Sequence, residues 1–207
     1  GPLILTTLGI GISLLLTILT IAGSFQNLIQ KSVDTKAPDF FFIGIDQSLK
    51  QDFQDYVMNA DPLSDLVVVP IATAKIQSIN DVDPRTYIDR QNPSYWVIQE
   101  ERRISWVDEP AINNPIVEGQ WWEDNPSDQM YISFDHDAAQ DLGIKINDTI
   151  TLSIYGREVT GIVKNFRDVD YADFTINFAM LLNTKYANAI PHEYLATVKL
   201  SDQNNFQ

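Results

Sequence analysis

Met130–Asn165 reads MYISFDHDAAQDLGIKINDTITLSIYGREVTGIVKN, and its pattern changes period three times. Met130 to Phe134 is a short β-favouring run. Asp135 then offers a capping carboxylate. Asp135 to Leu142 predicts a short helix stopped by Gly143, because glycine best takes the left-handed conformation at a helix end. Beyond it, Asp148 to Ile154 and Glu158 to Asn165 alternate with period two around Tyr155-Gly156-Arg157, the pattern of a β-hairpin. Asn147-Asp148 supplies the turn before the first of these strands. Strand, helix and antiparallel hairpin in one short span predict an α+β domain.

Outward from this stretch the same alphabet continues. Asp39 to Ile45, DFFFIGI, is apolar and β-favouring and reads as a buried strand, with Phe40, Phe41 and Phe42 in its core. Asp46 caps a helix from about Gln47 to Asn59, whose Leu49, Phe53, Tyr56 and Val57 follow helical spacing, and Asp61-Pro62 stops it. Leu66 to Ile79 is a second β stretch in which Pro70 marks an edge or a bulge. Tyr95 to Trp106 alternates raggedly, while Ile176 to Leu182 and Tyr194 to Leu200 read as further strands.

The first residues are of another kind. Leu3 to Phe25, LILTTLGIGISLLLTILTIAGSF, is a run of 23 residues without a charge, 12 of them Leu or Ile. At about 1.5 Å per residue such a helix spans the roughly 30 Å hydrocarbon core with some tilt. A signal peptide would have a shorter apolar region behind a basic start, and neither is found here. Gly9, Ser13 and Thr17 fall on one face at i, i+4 and i+8, a row of small residues that lets a second helix approach closely. Ser32 to Pro38 is a short polar stalk. Lys31, Asp34, Lys36 and Asp39 bring no basic excess to this flank, so the positive-inside rule places the remainder outside the cytoplasm.

The chain has 207 residues with 14 basic and 28 acidic side chains, a net charge of −14. A nucleic-acid surface needs clustered Lys and Arg, and none is present. With no cysteine, disulfides and thiolate metal sites are excluded. No P-loop, serine elbow or HExxH is found, so neither ATP hydrolysis nor a familiar hydrolase centre is carried here. Asp135-His136-Asp137 resembles a metal or acid–base cluster, but adjacent side chains diverge on a helix, so Asp135 reads as the cap and His136 as solvated. His192 has no partner that the sequence identifies. Trp121-Trp122 after Gly119 is the most unusual local feature. The pair is a candidate interaction surface, although one indole in the core and one at its edge is the commoner use. No catalytic, cofactor or metal residue is nominated.

Several segments in order resemble the extracytoplasmic region of FtsX-like ABC transporter permeases of the MacB kind, most of all the YbbP-like branch. An apolar helix runs into DTKAPDFFFIGI; PIATAKIQSIN (70–80) is similar to a family strand ending in Ile-Asn; ERRISWVDEPAINNPIVEGQWW (101–122) is similar to a segment ending in Gly-x-Trp-Trp. Ile132 to Leu182 resembles the family in its short Leu-Gly-ended helix, its Asp-Thr strand, its hairpin and its Arg-x-Val-Asp segment. The chain departs at Asn147, where the family commonly has Gly, and at Ala72-Thr73-Ala74, where the branch carries a basic run.

The resemblance implies a transmembrane helix at 3–25, then a two-lobed periplasmic domain. A porter-like α+β lobe would comprise about 26–95 and 175–207, with a smaller β-rich lobe, 96–174, inserted. It implies a bacterial inner-membrane permease subunit working with a separate cytoplasmic ATPase, further permease helices or a second permease copy, and a periplasmic partner or a lipid, lipoprotein or peptide cargo. It implies no cofactor and no nucleic acid. A membrane-anchored sensor or ligand-binding module is the alternative. Ser201 to Gln207 reads as the start of a further helix.

Overall fold

The computed structural model describes residues 1–33, 37–111, 113–124, 126, 128–172 and 175–201, with backbone alone for 2–8 and 25–33. The residues form two compact units, Gly1–Ala37 with Ala172–Thr175, and Pro38–Tyr171 with Ile176–Gln207.

The first unit is dominated by one helix, α1 (Pro2–Val33), longer than the apolar run that predicts it. Its described apolar side chains point outward all round, from Ile10 and Leu14 to Ile21. Among the described residues no helix is long and apolar enough to cross a membrane. The stalk falls partly, and the helix start expected after Ser201 almost wholly, outside the described residues.

The second unit contains a sheet of nine strands. Its elements are β1 (Phe40–Ile45), α2 (Lys50–Ala60), β2 (Asp65–Ile79), α3 (Tyr95–Gln99), β3 (Arg102–Trp106), β4 (Ile116–Gly119), β5 (Met130–Asp135), α4 (His136–Leu142), β6 (Thr149–Ile154), β7 (Arg157–Arg167), β8 (Met180–Leu182), α5 (Thr184–Ala187) and β9 (Glu193–Lys199). The strand order is β1-β9-β2-β3-β8-β5-β7-β4, and β6 pairs with both β2 and β7.

β2 organises this sheet. From Asp65 to Ile71 it pairs with β9; from Ala72 onward it pairs with β3 and then β6. Pro70, which lacks an N–H, sits one residue before the end of the β9 pairing, and its carbonyl accepts from Ser105 Oγ at 2.7 Å. Around the second half of β2 lies the larger core, with Ile76, Ile98, Ile104, Met130, Phe134, Leu152, Met180 and Leu182 fully buried or nearly so. A smaller core of Ile71, Phe178, Leu181 and Leu195 lies beside the first half, with Trp121 packed on it.

The stretch from 130 to 165 folds as its periodicities predict. Asp135 caps α4 by accepting from the Ala138 amide at 3.1 Å, and Gly143 ends it with φ 72°. Tyr155 and Gly156, with φ of 49° and 79°, make the two-residue turn between β6 and β7.

Three expectations need correction. The strand 39–45 is not buried: Phe41 is 52% and Ile43 57% exposed, because β1 is the outermost strand and pairs only with β9 among the described residues. Tyr95 to Trp106 is not one strand but α3 followed by β3, so its core residues Val97, Ile98, Ile104 and Trp106 come from two elements. Over Ile176 to Leu182 only β8 pairs as a strand; Phe178 reaches the smaller core from irregular backbone.

Candidate functional site

The Trp pair is built from the end of β4. Gly119 pairs with Asn165 of β7 and has φ 78°. A side chain there would run into the Lys164 carbonyl oxygen, so the close approach of the two strands requires glycine. Asn165 then holds the next residue, its Nδ2 donating to the Gln120 carbonyl at 3.1 Å. The backbone leaves this anchor into Trp121 and Trp122, whose rings stack at 3.9 Å between centroids with an interplanar angle of 29°. Trp122 is buried, 7% exposed, and its Nε1 has no hydrogen-bond partner among the described residues. Trp121 stays partly exposed and donates from Nε1 to the Asp108 carbonyl at 2.9 Å.

Beneath the pair runs a polar seam that sequence reasoning missed. Arg167, at the end of β7, is 1% exposed. Its Nε donates to Ser133 Oγ at 2.7 Å and one terminal nitrogen to the Phe178 carbonyl at 3.0 Å, while Ser133 Oγ also bonds Asn165 Oδ1. Burial holds the guanidinium down at about 10, against the pull of Tyr171 and of the Asp135 carboxylate. Tyr171 donates to Asp135. Burial of its hydroxyl, and then the Asp135 charge, push it far above the usual tyrosine range. The Tyr171 ring lies edge-on to Trp96 at 5.9 Å. Two asparagines continue the seam: Asn114 donates to Asn177 Oδ1 at 2.8 Å, and Asn183 holds the Tyr131 amide and the carbonyls of Pro126 and Gln129.

These bonds tie Gln120 and Phe178 to β7, and Tyr171 and Asn183 to β5. They do not assemble a reactive centre. The seam's donors and acceptors pair largely with one another or with backbone, while Asn114 Oδ1 has no hydrogen-bond partner among the described residues. The alternation of β7 marks Asn165 as inward-facing, and a polar residue at a core position is the signal that could have found the seam.

The remaining candidates lie apart. Asp135, His136 and Asp137 diverge: Asp135 is the buried cap, while His136 contacts Asp137 and Gln140 near the surface. His192 packs edge-on against Trp106 at 5.0 Å and bonds Gln47, Ile190 and Tyr194. Among the described residues no three His, Cys, Asp or Glu side chains come together to hold a metal. A shallow groove of about 580 Å³ is lined by Ile79, Asn80, Tyr87 and Asp148, with Gln140 and Asp141 of α4 and Gly143 just past its end. On α1, Gly9, Ser13 and Thr17 line a shallow groove with Ile12, Leu16 and Thr20. Thr17 Oγ returns to the Ser13 carbonyl at 2.8 Å, so its polarity is satisfied within the helix.

An uncharacterized ABC transporter permease, YbbP of Escherichia coli (strain K12), is 20% identical over 200 residues, 97% of this chain and 24% of the relative. The chain thus spans about a quarter of the length of that relative. The family described as the MacB-like periplasmic core domain matches residues 3–207, nearly every residue from α1 to the end, and the chain belongs to it.

Proposed function

We propose that this chain is a membrane-crossing helix and extracytoplasmic domain of an ABC transporter permease. The observation that carries the reading is the family match, which begins inside the uncharged run at Leu3 and continues without a break through the sheet. In this reading residues 3–25 span the bacterial inner membrane, and the acidic domain faces the periplasm. A separate cytoplasmic ATPase drives the movement, and the domain applies it to a lipid, lipoprotein, peptide or partner protein. The chain itself does no chemistry; the buried, mutually bonded side chains of Arg167, Ser133 and Asn165 support a mechanical role. The porter-like lobe is proposed for 26–95 with 175–207 and the inserted lobe for 96–174. Trp121 offers the one partly exposed indole of the pair to a partner.

The test uses the full-length protein. Thr35→Cys, in a segment with no native cysteine, should react with a membrane-impermeant thiol reagent added from outside the cell. The purified protein should show no ATP turnover alone and should stimulate a P-loop ATPase subunit that co-purifies with it. Labelling from the cytoplasm only would refute the topology. Absence of any ATPase effect would leave the membrane-anchored sensor as the better reading.

A further inference from the structure

The groove between the end of β2 and the end of α4 opens onto the larger core. Ile79 and Leu142 belong to that core, Ile88 packs on it, and all three line the groove. Val82 and Tyr87, 51% and 52% exposed, line it as well. Its walls are fixed in advance. Asn80 and Asp81, with φ of 50° and 65°, make a two-residue turn closed by backbone bonds between Ile79 and Val82 at 2.9 and 3.1 Å. Asn80 Oδ1 also accepts from the Thr149 amide at 3.0 Å, which ties the turn to the start of β6. On the opposite wall Asn92 donates to the Asp141 carbonyl at 2.7 Å and Ser94 Oγ to the Asp141 carboxylate at 2.6 Å. A site held this way has little ordering left to do when it binds.

The charge of the groove has one sign. Asp141 and Asp148 line it, and among the described residues no Lys or Arg does. Arg85, close by in sequence, is engaged by Asp83 and by the carbonyls of Ile76, Gln77 and Ile98. Each lining carboxylate uses one oxygen inside the protein, Asp141 for Ser94 and Asp148 for the Lys145 amide at 2.7 Å. None of the described residues bonds the second oxygen of either. Partial burial, and then the charges of Asp148 and Asp83, push the Tyr87 hydroxyl above the usual tyrosine range, so the Asp148 charge reaches across the groove.

A guest must therefore bring apolar contact and positive charge together. Phosphate and anionic headgroups are repelled by the two carboxylates. A free small molecule is poorly served, because small-ligand sites enclose most of their guest and this groove is shallow. A segment held by the rest of a partner needs no such enclosure. We infer that the groove docks a partner protein through a segment in which Lys or Arg side chains stand among apolar ones. The apolar side chains lie over Ile79, Val82 and Tyr87, and the cations bond the open oxygens of Asp141 and Asp148. The inference rests on the reading that the domain acts on a partner protein, and gives that partner a surface and a chemistry.

The test selects random octapeptides displayed on phage against purified full-length protein in detergent, and measures the selected peptides by fluorescence anisotropy. Peptides with basic and apolar residues together should be enriched. The double variant Asp141→Asn with Asp148→Asn, in which both amide oxygens can still accept from Ser94 and the Lys145 amide, should bind them at least about tenfold more weakly. Asp52→Asn with Asp55→Asn removes the same charge from the exposed face of α2 and should bind as the parent does. Enrichment without basic residues overturns the inference. Equal weakening in both double variants overturns it too, in favour of attraction by net charge alone, and spermine that binds as tightly as the peptides overturns it in favour of a free cation. Failure here with ATPase stimulation intact removes the groove and leaves the permease reading standing. Peptide binding at the groove without any ATPase effect supports the groove and removes that reading instead.

Discussion

Single residues hold this domain where strands come closest. Gly119 combines φ 78° with a Lys164 carbonyl that leaves no room for a side chain. Gly119→Ala should cost roughly 2–4 kcal/mol and lower Tm by at least about 4 °C in thermal denaturation. Gly156→Asn is the control, since Gly156 has a similar φ, open space around it and a hairpin position that asparagine tolerates; it should be close to neutral. A second residue-scale prediction concerns acid. Burial pushes the Asp83 carboxyl up. The hydrogen bonds and charge of Arg85, 2.7 Å away, outweigh this and hold it below the usual carboxylate range. A carboxyl depressed in the folded state stabilises above its ordinary pKa of about 3.9, and that contribution is lost as pH falls through the lowered value. Arg85 also donates to the carbonyls of Ile76, Gln77 and Ile98, so the ion pair ties the end of β2 to α3. Asp83→Asn, which still caps the turn, should therefore lower stability at neutral pH and flatten its loss between about pH 5 and 2. The two unfolding curves should meet at the acid end.

Elements were legible where local chemistry alone decides them. α4 could be read from Asp135 and Gly143, and the β6–β7 hairpin from alternation around Tyr155-Gly156, because caps and turns act within a few residues. β1 was legible as a strand but not as an edge. FFFIGI looks the same whether one neighbour or two lie beside it, and neighbour count is a property of residues far away in sequence. β3 was blurred because α3 packs Val97 and Ile98 into the same core one turn earlier. The seam was hidden for a related reason: Arg167 and Ser133 lie 34 positions apart and meet only through the parallel pairing of β5 with β7. For α1 the element-scale prediction is association. Leu at position 9 would fill the groove that Gly9 opens beside Ser13 and Thr17. Gly9→Leu in the full-length protein should weaken assembly with other membrane helices or a second copy by roughly tenfold, read by co-purification or energy transfer in vesicles. Unchanged assembly would reduce the row to composition.

At the scale of the whole molecule the proposed function requires movement to pass from helix to sheet. Only the residues between Val33 and Phe40 separate α1 from β1 in sequence, and a connection that short transmits a displacement that a long flexible linker would absorb. Inserting several Gly-Ser residues between Phe25 and Lys36 should uncouple transport while leaving ATP hydrolysis by the partner subunit largely intact, with both measured in the reconstituted full-length complex. Transport that survives undiminished would show that coupling runs elsewhere. What happens to force once it reaches the sheet follows from β2. Its 15 residues, at about 3.3 Å each, make a beam roughly 50 Å long, clamped by β9 at one end and by β3 and β6 at the other. Two portions of a sheet that share one continuous strand cannot swing apart like plates on a hinge, because the strand would have to break its ladder first. They can wind and unwind about it, as the ends of a torsion bar do. Load applied near Asp65 should therefore reach Ile79 as rotation rather than as opening.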